Sequence, residues 1–165
     1  MPKKLHKILA VNPGSRYVGI AVFEGAELKD WRVKVIKGKF SKEKFKTIRL
    51  LVSSFIDQYR PRVLVIKRLH RSHSSANLKR LVGQIKQSSK RKRLKVYQFS
   101  IKDLENFFSP QQRINKAELA AILTSRYPEL LPEFNKEQTN KNRYHIRMFE
   151  AVALGAVCAH QLDKN

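Results

Sequence analysis

The chain contains a single cysteine among its 165 residues. Cys158 lies in an apolar segment, residues 151–159, so one chain cannot form a disulfide framework or a cysteine-rich zinc site, and a reducing compartment is expected. Long apolar stretches are also missing. The apolar run 8–11 is too short for a signal peptide, and no stretch approaches the length of a membrane span. We therefore expect a soluble cytoplasmic protein with no membrane partner.

Acidic residues are scarce relative to basic ones. The chain has 13 Asp and Glu against 35 Lys and Arg, a formal net charge of +22 and a pI near 10.5. Such a surface attracts polyanions, and nucleic acid gains most from many basic side chains because binding releases counterions. An acidic membrane is the weaker alternative, because no single basic amphipathic helix carries the charge. Charge alone thus favours a nucleic-acid partner.

Length and hydropathy indicate a folded chain. With 42% hydrophobic residues, the sequence can bury a core, and its length suits a single domain over residues 1–165. Turn signals at residues 12–15 and 25–26 separate three β-prone runs, which we interpret as an antiparallel meander. The predicted strands are 7–11, 17–24, 28–36, a continuous apolar run at 63–66 and a last strand at 94–99.

Helical spacing of apolar residues predicts the remaining elements. The last predicted helix has small residues that permit close packing on a sheet. A basic stretch, residues 86–95, is expected to join a helix to the last strand, and residues 128–142 are expected to form a loop. The predicted helices span residues 41–59, 77–89, 101–108, 116–127 and 144–160. These elements predict an α/β fold with a mixed five-stranded sheet flanked by helices.

Four segments in this order carry a family resemblance. Residues 8–22, with Asn12-Pro13-Gly14 after an apolar strand, resemble the first strand and turn of the RuvC-like Holliday junction resolvases, in which that strand ends in Asp-Pro-Gly. Residues 63–67, 117–123 and 147–157 follow at matching places. The resemblance implies a ribonuclease H-like fold over nearly the whole chain.

In that family, clustered carboxylates hold two Mg²⁺ ions for phosphodiester cleavage. Here the resemblance places Asn12, Lys67, Arg147 and Glu150 at the family's catalytic positions, and only Glu150 is acidic. One carboxylate beside cations offers too few oxygen ligands for two hard dications, so we expect no metal site and no cofactor. The alternative without a functional role is that Asn12 is an ordinary turn residue and that Lys67 is a solvent-exposed residue at the end of a strand.

The matched positions also predict a contact. If Lys67 and Glu150 occupy the family's places, their side chains should lie within about 8 Å of each other and form an ion pair. Such a pair still meets a phosphate but cannot activate water.

Basic residues cluster around the end of the fourth strand and along the helix after it, where the resemblance places the substrate-binding face. A run of charge is often only a solvated face, but the overall charge favours phosphate contacts without sequence specificity. The predicted nucleic-acid-binding residues are Arg16, Lys67, Arg68, Arg71, Lys79, Arg80, Lys86, Lys90, Arg91, Lys92 and Arg93.

Three other groups are weaker candidates. His70, His73 and His145 lack the His-x-x-x-His spacing of helical metal sites, so structural or nucleic-acid-contacting roles are favoured. A second group, Ser72, Ser74 and Ser75, has no evident His and Asp partners and is more simply a loop with helix-capping hydroxyls. The segment 14–19 lacks Gly-Lys-Ser/Thr, so its glycines indicate a hairpin turn and not a phosphate loop.

Three functional hypotheses follow. The leading one is a RuvC-like protein that binds branched or duplex DNA without cutting it, with a homodimer as a possibility implied by the resemblance. The second is an active Mg²⁺-dependent junction endonuclease with displaced ligands, such as Glu150 with Glu24, Glu118 or Asp103. The third is a structural basic RNA-binding protein of a ribonucleoprotein particle. The sequence leaves DNA against RNA undecided.

Overall fold

A computed structural model of the chain describes residues 5–39, 41–70, 74–139 and 144–164. Its strands are β1 (Lys7–Pro13), β2 (Tyr17–Glu24), β3 (Glu27–Val35), β4 (Val63–Lys67) and β5 (Lys95–Phe99). Its α-helices are α1 (Lys42–Tyr59), α2 (Ala76–Arg91), α3 (Ile101–Phe108), α4 (Lys116–Arg126), α5 (Leu131–Thr139) and α6 (His145–Lys164), with a 3₁₀ turn at Pro128–Leu130.

The five strands form one mixed sheet in the order β3-β2-β1-β4-β5. Strands β1, β2 and β3 are an antiparallel meander, while β4 and β5 run parallel to β1. The predicted five-stranded mixed sheet is therefore confirmed. Because β1, β4 and β5 are parallel, their last residues meet at one end of the sheet, which we call the carboxyl end, and their first residues meet at the amino end.

Both faces of the central strands are covered. Alternation along β1 directs Ile8 and Ala10 to a core shared with α3, α4 and α6, and it directs Leu9 and Val11 to a second core shared with α1 and α2. This two-sided burial explains why β4 is a continuous apolar run, as the sequence indicates.

Helix α6 crosses the sheet at very short range. An ideal Cβ on Gly19 of β2 would lie 1.9 Å from the carbonyl oxygen of Arg147, and one on Gly155 would lie 2.2 Å from the ring of Phe23. Only glycine fits at either position. These two contacts fix the depth at which α6 packs, and with it the position of the side chains on its first two turns.

The prediction of a loop over residues 128–142 is wrong for its described part. Residues 128–130 form a 3₁₀ turn and residues 131–139 form α5, while residues 140–142 lie outside the described residues. Pro128 and Pro132 each occupy a first helical turn, where the missing N–H is not needed. Phe134 of α5 packs edge-on against Phe149 of α6, with ring centroids 6.4 Å apart. Tertiary packing thus stabilises a helix in a segment whose prolines led to the prediction of a loop.

Two boundaries also differ from the predicted ones. Helix α2 continues through Arg91, so most of the basic stretch 86–95 is helix and not a connection. Helix α6 runs to Lys164, four residues beyond its predicted end. In the described part of the chain, no helix has both the length and the apolar character needed to cross a membrane.

Candidate nucleic-acid interface at the carboxyl end of the sheet

Asn12 and Lys67 lie side by side at the carboxyl end of the sheet. Each follows a paired residue of the parallel strands β1 and β4, Val11 and Ile66 respectively. Alternation directs both side chains toward α6, since they share the face of Ala10 and Val65. The strand pairing therefore brings together two residues that are 55 positions apart in the sequence.

Glu150, on the second turn of α6, meets Lys67 from the opposite side. The Lys67 Nζ atom lies 2.6 Å from Glu150 Oε2, and the exposed fractions of the two side chains are 16% and 2%. The predicted contact between these residues is confirmed. A pair this buried is shielded from water. Losing one partner would therefore leave the other charge uncompensated, at a larger cost in stability than for a surface ion pair.

The Asn12 side chain is fully buried and completes the cluster. Its Nδ2 donates hydrogen bonds to Glu150 Oε2 and to the Arg147 carbonyl oxygen, both at 3.2 Å. Because both partners are acceptors, the amide orientation is determined by chemistry. Asn12 Oδ1 is buried without a hydrogen-bond partner. Asn12 is thus a buried donor to Glu150 and not an exposed turn residue.

Lys116, the first residue of α4, is a member of this cluster that sequence reasoning missed. Its Nζ lies 3.4 Å from Glu150 Oε1, so the two carboxylate oxygens face two different ammonium groups. Burial alone would raise the pKa of Glu150, but Lys67, Lys116 and Arg147 together hold the pKa below its usual value of 4.5. Glu150 is therefore an anion at neutral pH.

The residues present do not fit a Mg²⁺ site. The Lys67 ammonium lies within hydrogen-bonding distance of Glu150 Oε2, and Asn12 donates its NH₂ group to the same oxygen. Among the described residues, no three His, Cys, Asp or Glu side chains are grouped so that they could hold a metal ion. A hard dication requires several oxygen ligands, and this cluster offers cations and donors instead.

The proposed displaced ligands lie elsewhere or have other partners. Glu24 ends β2 opposite Lys7, at the amino end of the sheet. The Glu118 and Asp103 carboxylates are engaged in capping boxes at the starts of α4 and α3, where they accept backbone hydrogen bonds from Asn115 and Ser100. The structure does not bring these carboxylates into the Glu150 cluster.

A groove of about 820 Å³ opens beside the cluster. Its lining combines basic side chains with the apolar side chains of Leu69, Leu78 and Ile101. The starts of α2 and α3 both border it through the capping hydroxyls of Ser75 and Ser100. The positive ends of two helix dipoles therefore add to the side-chain charge. The basic residues of the lining are Lys67, Arg68, Lys102 and Arg147.

The predicted nucleic-acid-binding residues divide into two groups by position. Lys67 ends β4 and Arg68 follows it, while Arg16 follows β1. Lys79 and Arg80 lie on the first turns of α2, so all five residues lie toward the carboxyl end of the sheet. Arg71 lies outside the described residues. The other group is Lys86, Lys90, Arg91, Lys92 and Arg93.

The prediction that placed both groups around one face needs correction. Helix α2 rises about 23 Å from Ala76 to Arg91, which carries Lys90 to Arg93 to the amino end of the sheet, with Lys86 between. Sequence patterns could not separate the two groups, because residues 86–95 were predicted to be a connection, whereas α2 continues through Arg91.

Among the weaker candidates, His145 and Ser75 have structural roles. The backbone N–H of His145 donates to Glu137 Oε2 at 3.2 Å, and its Nδ1 lies 3.2 Å from the same atom. Ser75 caps α2 through the Leu78 N–H, as predicted for a capping hydroxyl. His70 and Ser74 line the groove, whereas His73 and Ser72 lie outside the described residues.

Aromatic residues border the cluster on the side of β2, and sequence reasoning missed them. Tyr17 stacks on Tyr144 with ring centroids 5.8 Å apart, and Tyr144 in turn contacts the His145 ring. The Arg147 N–H donates to the Tyr144 carbonyl oxygen. Both tyrosines are partly exposed, so an aromatic surface adjoins the basic one.

Comparison with known proteins agrees with this architecture. No protein-family model and no curated protein sequence matches the chain. Among solved structures, RuvC from Thermus thermophilus in complex with a Holliday junction substrate is similar, with a TM-score of 0.70, 12% identity and coverage of 97% of this chain and 96% of that one. A second Thermus thermophilus RuvC structure gives a TM-score of 0.69 at 15% identity, with 96% of each chain covered.

A viral structure is similar as well. The fowlpox virus resolvase in complex with substrate Holliday junction DNA gives a TM-score of 0.61 at 17% identity, covering 94% of this chain and 98% of that one. These likenesses extend over nearly the full length of each protein and include the mixed sheet with its helices on both faces. The chain therefore has a RuvC-like, ribonuclease H-like fold.

Proposed function

We propose that this protein binds branched or duplex DNA through the carboxyl end of its sheet and does not cleave it. The observation that carries the proposal is the Lys67–Glu150 ion pair. It makes the cluster rich in cations at the positions where the sequence resemblance implies the family's carboxylates. A phosphate can approach such a surface. Activation of water requires a metal or a free base, and the Glu150 carboxylate is already engaged by Lys67 and Lys116.

The groove supplies a second line of support. Its four basic side chains and two helix N-termini face a space large enough for a segment of sugar-phosphate backbone. Lys116 reaches the cluster with about half of its side chain exposed, so it can pair with Glu150 and meet a phosphate at the same time. The net charge of +22 adds long-range attraction. DNA is favoured over RNA because two of the similar structures are complexes with a Holliday junction, which in the fowlpox virus resolvase is DNA.

The test is a gel-shift comparison of a four-way DNA junction, a linear duplex and a single-stranded RNA at two salt concentrations, with Mg²⁺ in parallel samples. We expect the junction to bind more tightly than the duplex or the RNA, and we expect intact strands in every lane. Binding should weaken steeply with salt, because phosphate contacts release counterions. Sedimentation of the complex measures whether one or two copies bind.

A matched variant connects binding to the site. Lys102→Gln removes one exposed charge from the groove and Lys46→Gln removes one from the solvent face of α1. We expect weaker junction binding only for Lys102→Gln. Mg²⁺-dependent cleavage by the unmodified protein would overturn the proposal, and preferential binding of RNA would favour a ribonucleoprotein role instead.

A further inference from the structure

A second basic surface lies at the amino end of the sheet, away from the groove. It is formed by the connections that enter β4 and β5, and its side chains are exposed. Asp57 is a nearby acid, 3.8 Å from Lys92. We call this surface the amino-end patch; its core residues are Arg60, Arg62, Arg93 and Lys95, flanked by Lys90, Arg91 and Lys92.

Two backbone positions in the amino-end patch are unusual. Arg60 has φ of 50° and Arg93 has φ of 67°, and within the described ranges these are the residues other than glycine with positive φ. Glycine or asparagine is favoured in this left-handed region. Arg60 and Arg93 therefore adopt a left-handed backbone conformation that glycine or asparagine adopts more readily. Both arginine side chains are exposed to solvent at the amino end of the sheet. This coincidence points to a use for their charge.

Backbone hydrogen bonds hold the two connections together. The Arg62 N–H donates to the Lys7 carbonyl oxygen, and the Lys95 N–H donates to the Arg62 carbonyl oxygen, both at 3.0 Å. Arg62 immediately precedes β4 and Lys95 begins β5. The two residues thus lie within about 5 Å of each other in the direction of strand pairing. The rigid sheet fixes the spacing of the patch, which lowers the ordering cost of binding a regular polyanion.

We propose that the amino-end patch binds the phosphate backbone of a second nucleic-acid segment while the groove holds the first. Arg62 and Lys67 are separated by the length of β4, about 16 Å of strand, which exceeds the screening length of about 8 Å at physiological ionic strength. The two surfaces therefore attract phosphates independently. One copy of the protein can contact two duplexes, or two arms of one branched molecule, from opposite ends of its sheet.

The test pairs Arg60→Asn/Arg93→Asn with the control Lys46→Asn/Arg49→Asn, which removes two exposed charges from the middle of α1. Asparagine tolerates the left-handed region, so the first variant should melt at the same or a higher temperature than the unmodified protein. The readout is capture of a fluorescent duplex by protein already saturated with an immobilised four-way junction. We expect about tenfold weaker capture for the patch variant and little change for the control.

A second readout is the salt dependence of total binding. Losing two phosphate contacts should make the slope of log affinity against log salt shallower by about 2. Equal capture and equal slopes for the two variants would overturn the inference, and this result would be expected if the patch instead met an acidic protein. A protein that binds no nucleic acid at all would overturn the proposed function, whereas junction binding without patch-dependent capture would overturn this inference alone.

Discussion

The Lys67 ammonium on β4 lies 2.6 Å from the Glu150 carboxylate on α6, across 83 residues of sequence. The strand and the helix position these groups independently, so the pair forms only in the complete fold. Removing one member of a buried ion pair leaves the other without compensation, which costs far more than losing a surface pair. The pair consequently affects stability as well as phosphate binding.

Glu150→Gln should destabilise the protein at neutral pH by about 2 kcal/mol, less than for a fully buried pair because Lys67 is partly exposed. The folded-state pKa of Glu150 lies below its usual 4.5, so the unfolded chain binds the proton first as pH falls. Stability from this group is present above pH 4.5 and is lost as pH falls through the lowered pKa. Denaturant melts from pH 7 to pH 3 should show the difference between the two proteins shrinking.

The control for this experiment is Glu129→Gln, which removes an exposed carboxyl from the 3₁₀ turn. Its unfolding free energy should stay within about 0.5 kcal/mol of the unmodified protein throughout. A gap for Glu150→Gln that remains constant down to pH 3 would contradict the argument.

Asn12→Asp/Lys67→Glu should convert the cluster into a cation site. Two added carboxylates beside Glu150 repel one another in the absence of metal, so the melting temperature should fall. Added Mg²⁺ supplies the missing charge and should restore much of the loss, because a ligand that binds only the folded state stabilises it. Lys67→Gln, which removes the ammonium without adding an acid, should show no such rescue. Absence of rescue in the double variant would show that these positions cannot gather around a cation.

Two glycines should respond oppositely to alanine. Gly19→Ala places a methyl group 1.9 Å from the Arg147 carbonyl oxygen, and displacing α6 should cost about 3 kcal/mol or more. Gly83 is exposed within α2 with no atom near its ideal Cβ, so Gly83→Ala should stabilise by about 0.5–1 kcal/mol. Thermal and urea melts measure both. Similar effects at the two positions would contradict the close approach of α6 to β2.

Cys158 should be unreactive in the folded protein. Burial raises the pKa of its thiol to about 12, and α6 directs the side chain into the core, where it is almost fully buried. Thiolate is the reactive form, so a colorimetric thiol reagent at pH 8 should label the native protein only on the timescale of unfolding. Rapid stoichiometric labelling would require an α6 that packs more loosely than the structure describes.

Sequence periodicity and turn residues identified the sheet because each strand is defined locally. Residues 14–16 separate β1 from β2, and Gly25 and Ala26 separate β2 from β3, while the apolar run of β4 reflects burial on both faces. The Lys67–Glu150 contact was predictable from the resemblance, since parallel strands end together and α6 packs across them. These features depend on short segments and on known strand pairing.

Features that depend on how helices pack were not predictable. Lys116 meets Glu150 only because α4 packs on α6. Helix α5 forms despite its nearby prolines because Phe134 packs against Phe149 of α6. The basic stretch was misplaced because α2 was predicted to end at residue 89, so the charged residues at its end were assigned to a connection. For Lys116 and α5, the deciding contact joins residues that are distant in the sequence.

The Asn12 amide constrains how this cluster can change. Its NH₂ group points at two acceptors, Glu150 Oε2 and the Arg147 carbonyl oxygen. Aspartate at position 12 would place a carboxylate oxygen against the oxygens of Glu150 and Arg147, while Lys67 remained paired with Glu150. Glutamate at position 67 would place two carboxylates side by side, next to the Asn12 amide. Each single replacement toward an acidic cluster therefore passes through a less stable protein. An acidic cluster at positions 12 and 67 therefore requires both residues to change together.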